Sequence, residues 1–286
     1  MDESPLFNKI WIVESLRHGD QETGKSLYND VLLPIMQSHS DLQVGVECPV
    51  DRASFFATLD KIKNECLTGT YPMIHFECHG GPEGLQLGNN EVIKWEDLRD
   101  SLIGINLASK LNLVIVVAAC NGIHLIKVST QLDRAPYWAV IGPTKEVMEL
   151  DVKRDFGEFY RTLFEGFNGD DAVLALNRGV TGSDRPYQFR TSVGLFKRAY
   201  IEYHKKNCIG KGKRVRVENL VTAAMGDTSC KTLGVREVRK RIKEGLAKED
   251  EHFEKMKNKF FFIDLYSENG ARFPITYNDI ISSLPY

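Results

Sequence analysis

The sequence predicts an α/β fold: a three-layer sandwich with a mainly parallel central sheet, plus a C-terminal extension. First, short β-branched or aromatic runs alternate with amphipathic runs of helical spacing over the first two-thirds of the chain. Second, the run "LNLVIVVAAC" is apolar without alternation, which is typical of a central parallel strand covered on both faces. Third, strand, helix and strand at this spacing require crossover connections, which produce a layered sheet. With 286 residues, 42% of them hydrophobic, the chain can bury a large core.

The individual elements of the predicted sandwich follow from periodicity and flanking residues. The predicted strands are, in order, "KIWIVES", "LQVGVECPV", "PMIHFECHGG", "LNLVIVVAACNG" and "YWAVIGPT". The predicted helices are "KSLYNDVLLPIMQS", "DRASFFATLDKIKNECL", "KWEDLRDSLIGI", "DFGEFYRTLFEGF" and "DDAVLALNRGV". Asp51 directly precedes the second of these helices, where its side chain is expected to cap the first backbone N–H groups.

The character of the chain changes after about residue 204, so we predict two domains, residues 1–204 and residues 205–286. Between Lys205 and Lys259 there are 16 Lys and Arg against 8 Asp and Glu, a net charge of about +8, while the remaining chain sums to about −10. This basic extension is predicted to be regulatory or to bind a partner.

Within the extension, composition predicts three segments of different structure. "HKKNCIGKGKRVRVENL" favours a linker or an exposed hairpin, and "GVREVRKRIKEGLAKEDEHFEKMKNK" favours a charged helix. "FFFIDLYSENGARFPITYNDIISSLPY" favours a strand, a turn at Asn269-Gly270, and a second strand or short helix. Acidic residues are interleaved and no zinc-finger or helix-turn-helix signature occurs, so we expect a solvated helix face and no nucleic-acid partner. "GKGKRVR" stays open as a contact for an acidic partner or RNA.

Composition also predicts a protein of the cytoplasm without a membrane partner. The sequence has neither a charged-then-apolar leader nor an apolar run approaching about 18 residues. Its cysteines are scattered without a CxxC pair, which favours reduced thiols, any one of which is free to act as a nucleophile. They are Cys48, Cys66, Cys78, Cys120, Cys208 and Cys230.

Two predicted strands end in reactive side chains followed by glycine, namely "HFECHGG" and "VVAACNG". Only one helical crossover fits between His79 and Cys120, so these strands are predicted neighbours whose carboxyl ends meet at one edge of the sheet. A thiol beside an imidazole is the pair that nucleophilic catalysis needs. Gly80 carries no Cβ, which leaves its neighbourhood open for backbone N–H groups aimed at a developing oxyanion.

The crowded stretch "IHFECHGG" also raises the possibility of a metal site. Strand alternation places His75, Glu77 and His79 on one face and Cys78 on the other, where Cys78 belongs to the core. Alternating residues of one strand splay too far apart to surround one ion, and the pattern is not HExxH on a helix. We therefore predict no metal and no other cofactor. Taken alone, His79 would be a structural histidine and Cys120 a buried thiol.

The order of these motifs resembles the caspase, gingipain and separase group of cysteine peptidases, and most closely its prokaryotic CHAT branch. A strand ending in His-Gly precedes, by some forty residues, an apolar strand ending in Ala-Cys-x-Gly. "EGLQLGNNEVIKWEDL" resembles the hairpin and helix after the family's histidine, and "AVIGPTKEV" resembles the strand after its cysteine. "FYRTLFEGFNGDDAVLALN" resembles its late helix-turn-helix. The resemblance spans roughly residues 8 to 200 and implies a caspase-like sandwich.

The resemblance implies a cysteine endopeptidase acting on a protein substrate. Cys120 would be the nucleophile, His79 the general base and acid, and the backbone N–H groups of Gly80 and Cys120 the oxyanion hole. The family usually lacks a third side chain that orients the histidine, so none is predicted. Relatives that cleave after basic residues carry an acid two positions before the cysteine, where this chain has Ala118. Relatives that cleave after aspartate use an arginine just beyond the first strand, near the place of Arg17, which is the basis for a hypothesis of acidic specificity.

The resemblance also implies how such a peptidase is controlled. "IHLIKVSTQLDRAPY" is short and lacks the long acidic linker that is excised from eukaryotic caspases. Activation by a bound protein or ligand is therefore predicted, and kinship with CHAT proteins suggests a role in prokaryotic antiviral defence. Two alternatives stay open: a catalytically inactive caspase-like interaction module, and a Cys-His hydrolase of a non-peptide ester or amide.

Overall fold

A mostly parallel sheet organises the first part of the chain in the computed structural model, which describes residues 4–129, 131–166, 168–178 and 185–282. The strands are β1 (Lys9–Ser15), β2 (Gln43–Glu47), β3 (Pro72–Gly81), β4 (Gly84–Gln86), β5 (Val92–Lys94), β6 (Val114–Ala118), β7 (Ala139–Pro143) and β8 (Tyr187–Thr191). Their order is β2-β1-β3-β6-β7-β8, and β8 alone in this path runs antiparallel to its neighbour. The hairpin of β4 and β5 extends from the end of β3.

Helices cover the sheet on both faces and complete the predicted three-layer sandwich. They are α1 (Thr23–Leu27), α2 (Leu33–Ser38), α3 (Arg52–Cys66), α4 (Arg99–Ala108), α5 (Glu149–Gly166) and α6 (Gly169–Leu176). A π-helical turn (Tyr28–Leu32) joins α1 to α2, and 3-10 turns occupy Trp95–Leu98 and Gly122–Ser129. Side chains of α1, α5 and α6 share one buried cluster with β1, β3, β6 and β7. On the other face Phe55 of α3 stacks on Phe76 of β3, with ring centroids 5.6 Å apart.

Local sequence accounts for several of these elements. All five residues of β6 are buried and the strand lies between β3 and β7, as its unbroken apolarity predicts. The Asp51 side chain accepts a 2.8 Å hydrogen bond from the Ser54 N–H, which confirms the predicted cap of α3. The predicted helix "DDAVLALNRGV" corresponds to α6, and its residues 179–180 lie outside the described residues. The last residue of the predicted helix "DFGEFYRTLFEGF", Phe167, lies outside them as well. Strand β8 is an additional element that sequence analysis does not predict.

The chain divides into two compact units, of which residues 2–130 and 134–192 form the one described above, the α/β unit. The other, the helical unit, consists mainly of residues 193–286, joined by 131–133. The division falls between Ser192 and Val193, whereas the boundary predicted from composition, 204/205, lies within a helix, α7 (Ser192–Asn207). The assignment of a peptidase domain to residues 1–204 and of a partner-binding extension to 205–286 stays a prediction.

The helical unit confirms that the predicted charged segment is helical, as two helices, and corrects the secondary structure predicted on either side of it. After α7 follow α8 (Gly210–Met225), α9 (Thr228–Lys231), α10 (Val235–Leu246), α11 (Glu249–Phe260), α12 (Asn269–Arg272) and α13 (Tyr277–Ile281). The linker or hairpin predicted around "GKGKRVR" is the first half of α8, and the strand predicted at "FFFIDLY" is the end of α11 and a turn. Phe260, Phe261 and Phe262 are fully buried, and the rings of Phe260 and Phe261 contact the ring of Phe196. A short apolar run fits a strand or a buried helix end equally well, and tertiary packing selected the helix.

Length and composition of the helices bear on membranes as well. Among the described residues, none of the helices is long and apolar enough to cross a membrane.

Candidate functional site

The carboxyl ends of three neighbouring strands bring the candidate residues to one edge of the sheet. β3 pairs in parallel with β6, with Glu77 opposite Ala118, which confirms that the His79 and Cys120 strands are neighbours. β1 pairs with the other side of β3, with Ser15 opposite Cys78. The loops that follow β1, β3 and β6 therefore meet at one place, where open α/β sheets commonly bind ligands.

Gly80 lies directly against the backbone of Cys120. A Cβ atom placed on Gly80 would lie 2.5 Å from the carbonyl oxygen of Cys120 and 3.1 Å from its nitrogen. The same atom placed on Gly81 would meet nothing within 4 Å. Because only a hydrogen fits at position 80, glycine is required for this approach of the two chain segments. The structure thus brings the backbone of Gly80 close to that of Cys120, and these are the two predicted oxyanion-hole residues.

A carboxylate holds one side of the His79 ring. Nε2 of His79 lies 2.7 Å from Oδ2 of Asp20, and the two side chains are 35% and 23% exposed. The same oxygen accepts a 2.8 Å hydrogen bond from the Arg17 N–H. The hydrogen bond with His79, followed by that from Arg17, holds the pKa of Asp20 below its ordinary value. No described residue bonds to Nδ1 of His79, so the ring is fixed at one nitrogen while the other is available.

Asp20 is the functional candidate that sequence reasoning missed. It lies in "RHGD", the segment that directly follows β1, and the expectation that no third side chain orients the histidine removed any reason to search there. The sequence did contain a signal for Asp20. Functional groups gather at the carboxyl ends of parallel strands, and this rule, which predicted the proximity of His79 and Cys120, applies equally to the polar loop after β1. What the sequence did not contain is the position of β1 beside β3.

Two buried carboxylates attach the chain after Asp20 to the sheet. Glu14 of β1 accepts a 2.7 Å hydrogen bond from the Gly24 N–H, and Glu77 of β3 accepts one of 2.5 Å from the Thr23 hydroxyl. Both glutamates are 4% exposed. Desolvation raises the pKa of Glu14 above its ordinary value. The start of α1 is thereby fixed, and with it the short loop that presents Asp20 to His79.

His75 and Cys78, the other reactive side chains of "IHFECHGG", occupy structural positions. The His75 ring is fully buried between the Tyr160 hydroxyl, 3.0 Å from Nδ1, and the Glu77 carboxylate, 2.7 Å from Nε2. Cys78 is 5% exposed, and burial raises the pKa of its thiol to about 12. The contacts of His75 with α5 and of Phe76 with α3 confirm the predicted alternation of faces.

The thiol of Cys120 contacts the backbone of the segment after β7. The Val147 N–H donates to the Cys120 Sγ over 3.4 Å, and Sγ lies 3.7 Å from the Val147 carbonyl oxygen, which can accept the thiol proton. Asn121 has a left-handed φ of 59°, and its N–H donates to the Lys145 carbonyl over 3.2 Å. No hydrogen bond joins the Cys120 thiol to the His79 ring. In the structure, the Cys120 thiol is therefore hydrogen-bonded to the Val147 backbone and not to the imidazole.

The two predicted specificity residues lie in different surroundings. Arg17 is exposed, and its guanidinium donates a hydrogen bond to the Gln86 side chain on β4, directly opposite His79 in the β3–β4 register. It also lines a cavity of about 570 Å³ together with Asp20 and Lys25. Ala118 is 4% exposed and belongs to the buried cluster beneath the sheet. A substrate-binding role for either residue stays a prediction.

A metal site was the alternative raised by the histidines and acids of β3. Within the described ranges, no three His, Cys, Asp or Glu side chains form a group that could hold a metal ion.

No protein-family model matches the chain, and no curated protein sequence matches it. The resemblance to CHAT peptidases stays a prediction drawn from motifs.

Proposed function

We propose that this chain is a caspase-like cysteine endopeptidase of the CHAT type, with Cys120 as nucleophile and His79 as general base and acid. The observation that carries the proposal is the approach of Gly80 to the Cys120 backbone, beside a histidine whose far ring nitrogen is held by Asp20. A structural histidine and an ordinary core thiol need neither the bare glycine nor an available ring nitrogen.

The proposed reaction begins with transfer of the Cys120 proton to the imidazole of His79. The thiolate attacks the carbonyl carbon of the scissile peptide, so that a carbon–sulfur bond forms and the carbonyl oxygen becomes an oxyanion. The imidazolium gives its proton to the departing amine as the carbon–nitrogen bond breaks. Water, deprotonated by the same imidazole, then hydrolyses the thioester and restores the thiol.

The backbone N–H groups of Gly80 and Cys120 are the proposed donors to the oxyanion. The close approach of the Gly80 and Cys120 backbone segments supports this assignment, because two donors must converge on one oxygen to stabilise its developing charge. Donors fixed by the backbone need not reorganise during the reaction, which is the physical source of their effect on rate.

Asp20 is proposed to orient the imidazole. With Nε2 held by the carboxylate, Nδ1 is left to take the thiol proton, and the negative charge stabilises the imidazolium that forms during attack. This role adds a third side chain to the two that the resemblance implies.

The structure corresponds, in this proposal, to a resting form. The bonds from Val147 to Cys120 compete with the imidazole for the thiol, and the Lys145–Val147 backbone occupies space beside the nucleophile. A bound protein or ligand that moves this segment would release the thiol, in keeping with control by a partner in a prokaryotic defence system. The exposed Arg17 guanidinium, paired with a neutral amide, is proposed to receive an acidic substrate residue.

One observation favours the alternative of a catalytically inactive interaction module. The Cys120 thiol bonds to the Val147 backbone and not to the His79 ring. If that state is permanent, the fold serves binding alone.

Co-expression with the proteins encoded by the chromosomal neighbours tests these proposals. We expect a discrete cleavage product with the wild-type chain and with Cys78→Ala, the buried-thiol control, and none with Cys120→Ala or His79→Ala. Cleavage that survives both of the latter substitutions would refute the mechanism.

Alkylation of the Cys120 thiol, in the presence and absence of each neighbouring protein, shows whether His79 activates the thiol. In the dyad, iodoacetamide modifies Cys120 at neutral pH at least about 10-fold faster in the wild-type chain than in His79→Ala. Equal rates in the isolated chain are expected of the resting form as well, so the interaction module is favoured only by equal rates that persist, without cleavage, in the presence of every neighbouring protein.

A further inference from the structure

A basic groove crosses the surface of the helical unit, between the end of α7 and one face of α8. It encloses about 460 Å³. Its principal lining residues are Lys206, Lys211, Val215, Arg216, Asn219 and Leu220. None of the side chains that line it is acidic. The groove is made entirely by the helical unit and is remote in sequence from the proposed catalytic residues.

Helix α8 has one packed face and one open face. On the packed face, Val217 and Val221 form a small core with Leu246 of α10. Lys211, Val215 and Asn219 recur every four residues and therefore share another face, the one that lines the groove. Val215 is 49% exposed and Leu220 40% exposed, so this face offers apolar surface that the described chain leaves uncovered.

The cations of the basic groove lack carboxylate partners. Across the described ranges, no Asp or Glu lies within ion-pair distance of Lys206 or Lys211, and Arg216 lies over the Tyr203 ring with a hydrogen bond to the Cys208 sulfur. Two other lysines of the same region are neutralised. Lys205 pairs with Glu202 and Lys213 pairs with Glu249.

The basic helix α10 shows the opposite arrangement. Three of its cations are paired with carboxylates: Arg239 with Glu218, Arg241 with Glu237, and Lys240 with Glu244. Three of the five cations of α10 are thus compensated locally, whereas none of the three cations of the groove has a carboxylate partner among the described residues. Salt bridges at this level of exposure contribute little stability, but they cancel the local field that would attract an anionic partner.

The placement of Lys211 is unfavourable for α8 itself. Its first turn contains no acid, although the helix dipole favours negative charge there and disfavours positive charge. Gly212 allows the close corner between the helices, because a Cβ on it would lie 1.8 Å from the Lys206 carbonyl oxygen. The tight corner brings Lys206 and Lys211 to one end of the groove, where an anion would relieve the repulsion between them and the dipole.

We propose that the basic groove binds an acidic amphipathic segment of a protein partner. Its carboxylates lie against Lys206, Lys211 and Arg216, and its apolar side chains cover Val215 and Leu220. From Lys211 to Leu220 the groove follows nine helical steps, about 14 Å, which suits a partner helix of about ten residues. The apolar walls favour a protein segment over nucleic acid, which would use aromatic stacking and phosphate contacts along the whole surface. The site goes beyond the proposed peptidase activity and does not depend on it.

Binding of a synthetic probe to the full-length chain carrying Cys120→Ala, which cannot cut the probe in the proposed mechanism, tests this inference. The probe is a helical peptide of about 14 residues with Glu on one face and Leu on the other. The comparators are a scrambled peptide of the same composition and a single-stranded RNA of equal charge. We expect the probe to bind at least about 10-fold more tightly than either comparator.

Paired substitutions locate the site. Lys206→Glu with Lys211→Glu is expected to weaken probe binding at least about 10-fold, whereas the matched control on α10, Lys240→Glu with Lys243→Glu, changes it less than about 3-fold. All four lysines are exposed, so circular dichroism of both variants should match that of the parent. Equal weakening by both pairs, tighter binding of the RNA, equal binding of the scrambled peptide, or no binding at about 1 mM would each overturn the proposal.

Discussion

His75 and His79 lie four residues apart on the same face of β3, and each ring nitrogen Nε2 contacts a carboxylate at 2.7 Å. Their surroundings differ. His75 is fully buried and its second nitrogen is bonded to Tyr160, whereas His79 is 35% exposed at the strand end and its second nitrogen is not bonded by any described residue.

The comparison shows that a carboxylate partner does not by itself decide whether a histidine can transfer a proton to or from a substrate. A ring with both nitrogens bonded in the core has no proton-transfer partner that substrate can reach. A ring held at one nitrogen, at an exposed strand end, is oriented and still free to exchange a proton. The first stabilises the fold, and the second is a candidate base.

Separate alanine substitutions of the two histidines give the largest expected contrast. His79→Ala should lower the cleavage rate by about 10³-fold and change the free energy of unfolding by less than about 1 kcal/mol. His75→Ala should lower the free energy of unfolding by about 3 kcal/mol, because it removes one partner of a buried pair. Cleavage assays and urea denaturation measure both quantities. Comparable stability losses in the two variants would remove the distinction.

Separate alanine substitutions of Gly80 and Gly81, the two glycines after His79, test whether the exposed end of β3 needs the close approach to Cys120. Gly80→Ala is expected to displace the Cys120 backbone, lower cleavage by about 10²-fold and destabilise the chain by about 1–3 kcal/mol. Gly81→Ala is the matched control, because a Cβ there meets nothing within 4 Å. Full activity in Gly80→Ala would contradict the role given to the close approach.

Substitution of the His79 partner has a smaller expected effect. Asp20→Asn should lower cleavage by about 10-fold to 100-fold while KM changes little, because the imidazole loses its orientation and its stabilising charge but substrate contacts remain. A change confined to KM would assign Asp20 to substrate binding.

The same pair also predicts the sign of a pH effect on stability. The pKa of Asp20 in the folded chain lies below its ordinary value of 3.8, so its contribution is complete above that value and is lost as pH falls through the folded-state pKa. Thermal unfolding should show the wild-type chain above Asp20→Asn near neutral pH, with the gap closing at acidic pH. A gap that widens with acid would contradict this sign.

The smallest expected effect concerns Glu14, the buried acid that fixes the start of α1. Burial raises its pKa above the ordinary value of 4.5, so its favourable contribution is present below that value and is lost as pH rises through the folded-state pKa. Glu14→Gln keeps an oxygen for the Gly24 N–H and should gain stability relative to wild type as pH rises. Melting curves from about pH 4 to pH 8 measure this trend, and a gap that does not change with pH would argue against the raised pKa.

The alternation of faces on β3, the central place of β6, and the pairing of the His79 and Cys120 strands could all be predicted from sequence. Each depends on a rule that relates near neighbours: the two-residue period of a strand, unbroken apolarity, and a crossover too short to reach past an adjacent strand. In the helical unit the charged helix was predicted, although it is divided into α10 and α11. The structure of "FFFIDLY" escaped prediction because a short apolar run fits strand and helix equally, and the aromatic cluster around Phe196 selected the helix end.

By itself the sequence determined the α/β sandwich and the meeting of His79, Gly80 and Cys120, because strand periodicity and strand-end position are local properties of the chain. Only the tertiary structure decided that Asp20 holds the histidine and that Val147 holds the thiol. These contacts join segments 59 and 27 residues apart through loops whose paths no periodicity describes. Such loops are placed by the buried groups behind them, as Glu14 and Glu77 place the Asp20 loop, and burial exists only once the chain has folded.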